Sequence, residues 1–244
     1  MRGQLSLTTV QPAPFHAVAL LHPACLASLY HHPFDVFCNA AAMPHLSDLP
    51  SRLAFIQEAE RLKTVLRSAH SSGGRQESTA EHSWRLCLLA MTLQDLLGPL
   101  DMGRVLQLCV VHDLGEALHG DVPAPQQSAT GDKDAQERRD LLTLAQGLPA
   151  ERQAWLLGLW EEYTQAQTLE ARVVKALDKI ETIIQHNQGA NPPGFDYAFN
   201  LDYGRRHADV HPVIAELRAL VDADTRQHAE RAAAQAVGGT PLAG

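Results

Sequence analysis

The stretch VVHDLGEALHGD, residues 110–121, decides how the rest of this 244-residue chain is interpreted. It is an apolar segment with helical periodicity, and it carries His112 and Asp113 side by side. An imidazole nitrogen beside a carboxylate oxygen is a mixed ligand pair that suits Zn, Mn, Fe, Co or Ni. On a helix, Glu116 would share a face with both residues. Burying three such groups is costly unless a cation satisfies them, so the segment predicts a metal site.

Two more residues fit the same site. His82 lies upstream in STAEHSW, and Asp178 lies downstream in ALDKIE. One ligand from each of three helices, with the adjacent pair on the middle one, can surround one ion and leave positions open for water or substrate. A surface ion pair with Lys179 is the competing interpretation of Asp178. A lone helical histidine is more often a core or surface residue than a ligand, so no role is assigned to His119, His186 or His207.

The remaining pattern indicates helices from Asp48 onward. Residues 49–68 carry an amphipathic stripe, and residues 70–78 are predicted to form a loop. Ser78 and Glu81 make a capping box that starts the next helix at Thr79. We expect a helix from Asp101 to about Gly120, three more between residues 131 and 189, and a final one beginning at Pro212. No strand-like alternation persists, so the predicted fold is an all-α bundle of six or more helices.

Composition limits the remaining possibilities. The length suits one domain, and the net charge of −8 argues against a nucleic-acid-binding face. No apolar run is long enough for a membrane span, and the four cysteines form no CxxC pair, which favours a reducing cytoplasm. We predict a disordered extension over residues 1–48, a main domain over 49–207, and a C-terminal helix and tail over 208–244.

The residues around the predicted ligands form a linked set of motifs. The first is R-x7-R-x-E-S-x-A-E-H-S-W, which begins at Arg67 and has Arg75 as its second arginine. The second is H-D-x-x-E-x-x-x-G-D-x-P-x-P from His112, and L-W-E-E-Y and E-A-R-x-V-K-A-L-D-K follow. Over residues 52–184 the chain therefore resembles the HD-domain metal-dependent phosphohydrolases, and within them the bacterial 5′-deoxynucleotidase branch.

The resemblance implies a role for each matching residue and a homodimer. One divalent ion (Mn, Co, Fe, Ni or Zn) would be bound by His82, His112, Asp113 and Asp178. Glu116 would assist the attacking water, and Arg67, Arg75 and Asp121 would bind substrate. The competing interpretations are ordinary surface charge for the two arginines, a turn cap for Asp121 and pairing with a neighbouring base for Glu116.

The implied activity is metal-dependent removal of phosphate from (deoxy)nucleoside 5′-monophosphates. Two alternatives stay open: hydrolysis of another nucleotide or phosphorylated metabolite, and a metal-bound nucleotide-sensing module with little turnover. Close deoxynucleotidases carry a tryptophan after the first arginine, near the sugar, where this chain has Ser68. The aromatic loop over residues 190–204 is not a general feature of that branch either. We therefore expect weaker discrimination between ribose and deoxyribose.

Overall fold

The computed structural model describes residues 46–123 and 132–238, which form eight α-helices and one small antiparallel sheet. The helices are α1 (Leu49–Ala59), α2 (Thr79–Thr92), α3 (Met102–Val111), α4 (Asp132–Ala145), α5 (Ala150–Gln165), α6 (Leu169–Gln188), α7 (Phe199–Asp202) and α8 (Pro212–Gly238). The strands are β1 (Leu66–His70) and β2 (Gln76–Ser78). Short 3-10 helices cover Leu46–Asp48, Glu60–Lys63, Leu114–Ala117 and Arg205–Val210. The predicted all-α class is confirmed.

Helix α6 lies at the centre of the bundle and packs against α2, α3, α5 and α8. Its apolar side chains Leu177, Ile180 and Ile183 are fully buried. Each such side chain stabilises the fold by roughly 1.5–3 kcal/mol when it leaves water. Because α6 is enclosed on most sides, the polar residues that it carries are also held inside the protein.

The predicted helix starts are borne out by their caps. The Ser78 hydroxyl accepts from the backbone N–H of Glu81, and the Glu81 carboxylate accepts from the backbone N–H of Ser78, which completes the capping box. Asp101 accepts from the backbone N–H of Arg104 at the start of α3. Each cap satisfies backbone N–H groups that have no partner inside the helix.

The prediction of a helix over residues 49–68 followed by a loop is wrong in its second half. Helix α1 ends at Ala59, and β1 pairs with β2 in a hairpin that turns at Gly74, whose φ of 84° favours glycine. The carbonyls of His70 and Ser71 accept from the Gln185 side chain and the Ala190 N–H, so tertiary contacts near the end of α6 hold this strand. A five-residue strand is too short to be distinguished from a helix by periodicity.

The prediction of one helix from Asp101 to Gly120 is also wrong. Helix α3 ends at Val111, His112 is its C-cap, and Leu114–Ala117 form a separate 3-10 turn. A Cβ at Gly115 would lie 2.6 Å from the backbone oxygen of Glu137, so glycine lets α4 approach this turn closely. The His-Asp pair therefore stands at a helix end and not within a helix.

The segment after α6 is held by α8. Arg218 is buried and donates to the carbonyls of Asn200, Leu201 and Tyr203 at 2.7–2.9 Å, while Asp222 accepts from its Nε at 2.6 Å. Within residues 46–123 and 132–238, no helix is both long and apolar enough to cross a membrane. Residues 1–45 of the extension predicted to be disordered lie outside the described residues. Its last three residues, Leu46–Asp48, form a 3-10 helix.

Candidate metal centre and cavity

The four predicted ligands come together from three parts of the fold. His82 comes from the first turn of α2, His112 and Asp113 from the end of α3, and Asp178 from the middle of α6. The Nε2 atom of His112 lies 3.1 Å from Asp113 Oδ2, and that of His82 lies 3.9 Å from the same oxygen and 3.2 Å from Asp178 Oδ1. His82, His112 and Asp113 therefore form one compact N/O cluster, and Asp178 adjoins it through His82.

Both histidines turn the same kind of nitrogen toward this cluster. His112 donates through Nδ1 to the carbonyl of Cys109 at 2.9 Å, and His82 donates through Nδ1 to Glu181. Their Nε2 atoms are buried and make no hydrogen bond to any residue that the structure describes. Since buried polar atoms are rarely left without a partner, two such lone pairs beside two carboxylates fit a cation.

Asp178 is held from its other side. Its Oδ2 accepts from the Tyr163 hydroxyl and lies 2.8 Å from Lys179 Nζ, while Oδ1 faces His82. Burial disfavours its charge, but Lys179 and the two histidines outweigh burial and hold the pKa of Asp178 well below its ordinary value. The carboxylate is therefore ionised and oriented before any ligand arrives.

Two carboxylates set the charge of His82. Burial and the charge of Arg67 lower its pKa, but the neighbouring carboxylates of Asp178 and Glu181 outweigh both and raise the pKa to about 9. A metal-ligating histidine must be neutral, so a bound cation would displace this proton.

Arg67 occupies the edge of the cluster. Its side chain lies 3.4 Å from Asp113 Oδ2 and donates to Thr182 Oγ1 at 3.0 Å. Its Nε is 3.4 Å from Glu77 and makes no hydrogen bond. The guanidinium is buried among acidic groups, which keep it charged. It therefore presents donors next to Asp113 at the cavity.

Glu116 is buried beside a lysine. Its Oε2 accepts from Thr79 Oγ1 at 3.3 Å, and its Oε1 lies 3.3 Å from Lys133 Nζ. Burial and the charges of Asp113 and Asp121 raise the pKa of Glu116 to about 9, against the lowering effect of Lys133. A cation in the adjacent cluster would favour the ionised form of this carboxyl group.

These groups open onto a cavity of about 370 Å³. Acidic, basic and aromatic side chains share its wall. It is lined by Arg67, Ser68, Asp113, Glu116, Asp121, Val122, Pro123, Lys133, Asp178, Lys179, Thr182, His186, Phe195, Asp196, Phe199, Asn200 and Tyr203. The volume is within the range of small-molecule sites.

The structure brings together all the residues proposed for the site except Arg75. Arg75 is exposed, does not line the cavity, and forms a two-point pair with Glu81 at 2.7 and 3.0 Å. Asp121 and Arg67 both line the cavity, and Ser68 stands beside Arg67 on its wall. Arg75 therefore lies at the N-terminal cap of α2 and not in the cavity.

Sequence reasoning missed the residues that hold the ligands. Glu181 lies three residues after Asp178, and Tyr163 lies in the L-W-E-E-Y motif, so helical phase and the motif were available signals. Lys133 had no such signal, because only the packing of α4 brings it to Glu116. The ion pair of Asp178 with Lys179 that the sequence offered is present at 2.8 Å, but Asp178 is buried and does not lie at the surface.

Comparisons with known proteins agree with this geometry. A sequence profile described as HD domain matches residues 59–218. The chain is 28% identical to human 5′-deoxynucleotidase HDDC2 over 69% of its own length and 85% of the relative's. It is 33% identical to the Xenopus laevis protein of the same name, covering 55% of this chain and 67% of that one. A crystal structure described as a "predicted metal-dependent phosphohydrolase" from Magnetospirillum magnetotacticum MS-1 is similar, with a TM-score of 0.66 and 28% identity over 75% of this chain and 95% of that chain.

Proposed function

The chain belongs to the HD-domain family, and from this premise we propose that it is a metal-dependent phosphohydrolase acting on nucleoside 5′-monophosphates. One observation carries the proposal. Two buried histidine Nε2 atoms without hydrogen bonds face two carboxylates on one side of a cavity large enough for a small molecule. The names of the relatives supply the class of substrate.

His82, His112, Asp113 and Asp178 would hold one divalent cation. Their nitrogen and oxygen donors, without cysteine, suit Mn, Co, Fe, Ni or Zn. When bound, such an ion stabilises negative charge on phosphoryl oxygens and lowers the pKa of water. Glu181 and the Cys109 carbonyl orient the two imidazoles by accepting from Nδ1, a role that partners of metal-bound histidines commonly have.

The other residues would act on water and substrate directly. Glu116 would orient the attacking water and take its proton, which requires the ionised carboxylate within hydrogen-bond reach of that water. Arg67 would offer its planar donors to the phosphoryl oxygens beside Asp113. Asp121 would accept a hydrogen bond from the sugar. The water oxygen forms a bond to phosphorus as the bond between phosphorus and the 5′-oxygen of the sugar breaks, and the proton taken by Glu116 passes to that 5′-oxygen, so that nucleoside and inorganic phosphate leave.

A panel of phosphate esters tests this function. Purified protein with Mn or Co should release phosphate from nucleoside 5′-monophosphates, and chelation followed by buffer exchange should abolish the release. Asp113→Ala should lose both bound metal, measured by elemental analysis, and turnover. Release from triphosphates or other phosphorylated metabolites alone would favour a different substrate, and no release from any ester would favour a nucleotide-sensing module.

We also propose that the protein works in the cytoplasm as a homodimer, with no nucleic acid or membrane partner. Residues 1–48 form an extension, 49–207 the HD domain and 208–244 a C-terminal helix and tail. Of the described cysteines, Cys109 is buried and Cys87 partly buried, and both are free thiols, which supports a reducing compartment. Sedimentation at several protein concentrations tests the dimer.

A further inference from the structure

One part of the cavity wall comes from the segment between α6 and α8. Phe195, Phe199, Asn200 and Tyr203 line the cavity together with His186 of α6. The proposed hydrolysis needs none of these residues at phosphorus. Their chemistry differs from that of the metal cluster, because it combines flat apolar rings with neutral polar groups.

The aromatic residues of this segment present ring faces. Phe199 and Tyr203 are stacked at 5.7 Å with 28° between their planes, and Phe199 remains 38% exposed. Phe195 meets the ring of His186 edge-on at 4.9 Å. Lys179 Nζ lies 5.4 Å from the centre of the Tyr203 ring, which places that ring near the proposed metal ligand Asp178. Flat heteroaromatic groups stack on such side chains.

Two polar atoms in the same wall lack partners. Asn200 is fully buried, and its Oδ1 accepts from His186 Nδ1 at 3.1 Å. This bond puts the imidazole proton on Nδ1 and leaves His186 Nε2 as an acceptor. Among the described residues, His186 Nε2 and Asn200 Nδ2 are both buried without a hydrogen bond, so this wall holds one unused acceptor and one unused donor. Nucleobases carry matching groups on their edges.

The backbone of this segment is rigidly held by α8. Arg218 is 4% exposed and binds the carbonyls of Asn200, Leu201 and Tyr203 with its planar guanidinium. Asp222 fixes the guanidinium in turn. A buried arginine that binds three carbonyls at one short helix costs desolvation, and it positions two of the residues that line the cavity.

We propose that His186, Phe195, Phe199, Asn200 and Tyr203 form a subsite for the nucleobase, and that Arg218 is its positioning residue. The proposal rests on the proposed function, because it assigns the part of the same substrate that lies away from phosphorus. The base stacks on the Phe199 and Tyr203 rings, and its edge bonds to Asn200 and His186.

The test compares a substrate that has a base with one that lacks it. Nucleoside 5′-monophosphate and ribose 5-phosphate share the phosphate and sugar, so they differ in this subsite alone. Phe199→Ala and Tyr203→Ala should raise KM for the nucleotide roughly five- to a hundredfold, with kcat retained, since stacking on one aromatic residue contributes that much. Phe199→Ala should not change hydrolysis of ribose 5-phosphate. Tyr203→Ala should impair nucleotide hydrolysis far more than ribose 5-phosphate hydrolysis, because its ring also lies beside Lys179.

Tyr197→Phe is the matched control, because Tyr197 belongs to the same segment, stacks on His228 of α8 at 5.0 Å and does not line the cavity, and phenylalanine keeps the ring that packs against Phe195. It should leave both substrates unaffected. Equal efficiency of wild type on the two substrates, or equal losses on both in Tyr203→Ala, would overturn the subsite while leaving the hydrolase proposal intact. If wild type hydrolyses neither, the proposed function fails, and calorimetric binding of the nucleoside to wild type and Tyr203→Ala decides the subsite separately.

Arg218→Lys tests the positioning role, because lysine keeps the charge but loses the fork that holds three carbonyls. The nucleotide KM should rise while ribose 5-phosphate turnover per folded molecule stays the same. Asp222→Asn weakens the contact that fixes the Arg218 guanidinium, so it should also raise the nucleotide KM. If both variants reduce turnover of the two substrates equally, Arg218 serves stability alone.

Discussion

Replacing Glu116 by glutamine tests whether this residue acts on the attacking water or binds the metal. The substitution keeps the volume of a side chain that is 2% exposed and removes its negative charge. Lys133 Nζ and Thr79 Oγ1 each lie 3.3 Å from a different carboxylate oxygen of Glu116. With the amide oxygen toward Lys133, the amide NH2 of glutamine faces Thr79 Oγ1, which can accept from it. Losing a general base lowers turnover by about 10²–10⁴-fold, equivalent to about 2.7–5.4 kcal/mol of activation free energy. Metal content should stay unchanged, because Glu116 is assigned to the water.

Glu137→Gln is the matched control. Glu137 pairs with the same Lys133 at 3.0 Å, yet it does not line the cavity. The assay is phosphate release under saturating metal, with elemental analysis of each variant. An equal loss of turnover in both variants would show that the lysine pairing matters and the position of Glu116 does not. Metal loss in Glu116→Gln would make Glu116 a ligand and refute the assignment.

Stability provides an independent check on Glu116→Gln. Burial raises the pKa of Glu116 from 4.5 to about 9, so the metal-free folded protein binds this proton more tightly than the unfolded chain. Stability therefore falls as pH rises from 4.5 toward 9, and this loss is absent in the glutamine variant. At pH 8 the metal-free variant should melt above metal-free wild type. A lower melting temperature would mean that the activity loss reflects unfolding.

Four other perturbations follow from the same structure. Glu181→Ala should weaken metal affinity by about 10–100-fold, measured by competition with a chelator, because the Nδ1 proton of His82 loses its acceptor; unchanged affinity would contradict the orienting role. Metal binding at pH 7.5 should release one proton from His82 and up to one more from Glu116, because the pKa of each is about 9 in the metal-free protein and a cation favours the deprotonated form of both. The raised pKa of His82 also contributes stability to the metal-free protein, which is fully present below pH 6.5 and is lost as pH rises through 9. Calorimetry of metal binding in two buffers should find little proton release above pH 9.5, because His82 is already neutral there. Ribo- and deoxyribonucleotides should have comparable kcat/KM values, and deoxy preference should appear in Ser68→Trp, whose bulk would meet a 2′-hydroxyl; a strong deoxy preference in wild type would refute this. Gly115→Ala should cost about 1–3 kcal/mol by pushing α4 away, whereas Gly158→Ala, in open space on α5, should be tolerated; equal melting temperatures would refute the close approach.

The sequence by itself determined the helical class and predicted the proposed ligand set. Apolar periodicity and caps such as Ser78 and Asp101 are local, so they act on neighbouring residues in any tertiary context. The motif residues were recognised by type and order, and the fold brings His82, Asp113 and Asp178 to within hydrogen-bonding or ion-pairing distances. Neither inference required knowledge of how the helices pack.

Only the tertiary structure decided what surrounds those residues. The end of α3 before Asp113 depends on how closely α4 approaches Gly115, and the strand β1 depends on backbone partners in β2 and beyond α6. The side-chain partners of His82 and Glu116 come from elements far away in sequence. The motif position of Arg75 predicted a substrate contact in the cavity, but a local ion pair with Glu81 holds this side chain outside it. Long-range packing selects which polar groups meet, and that choice leaves little trace in local sequence patterns.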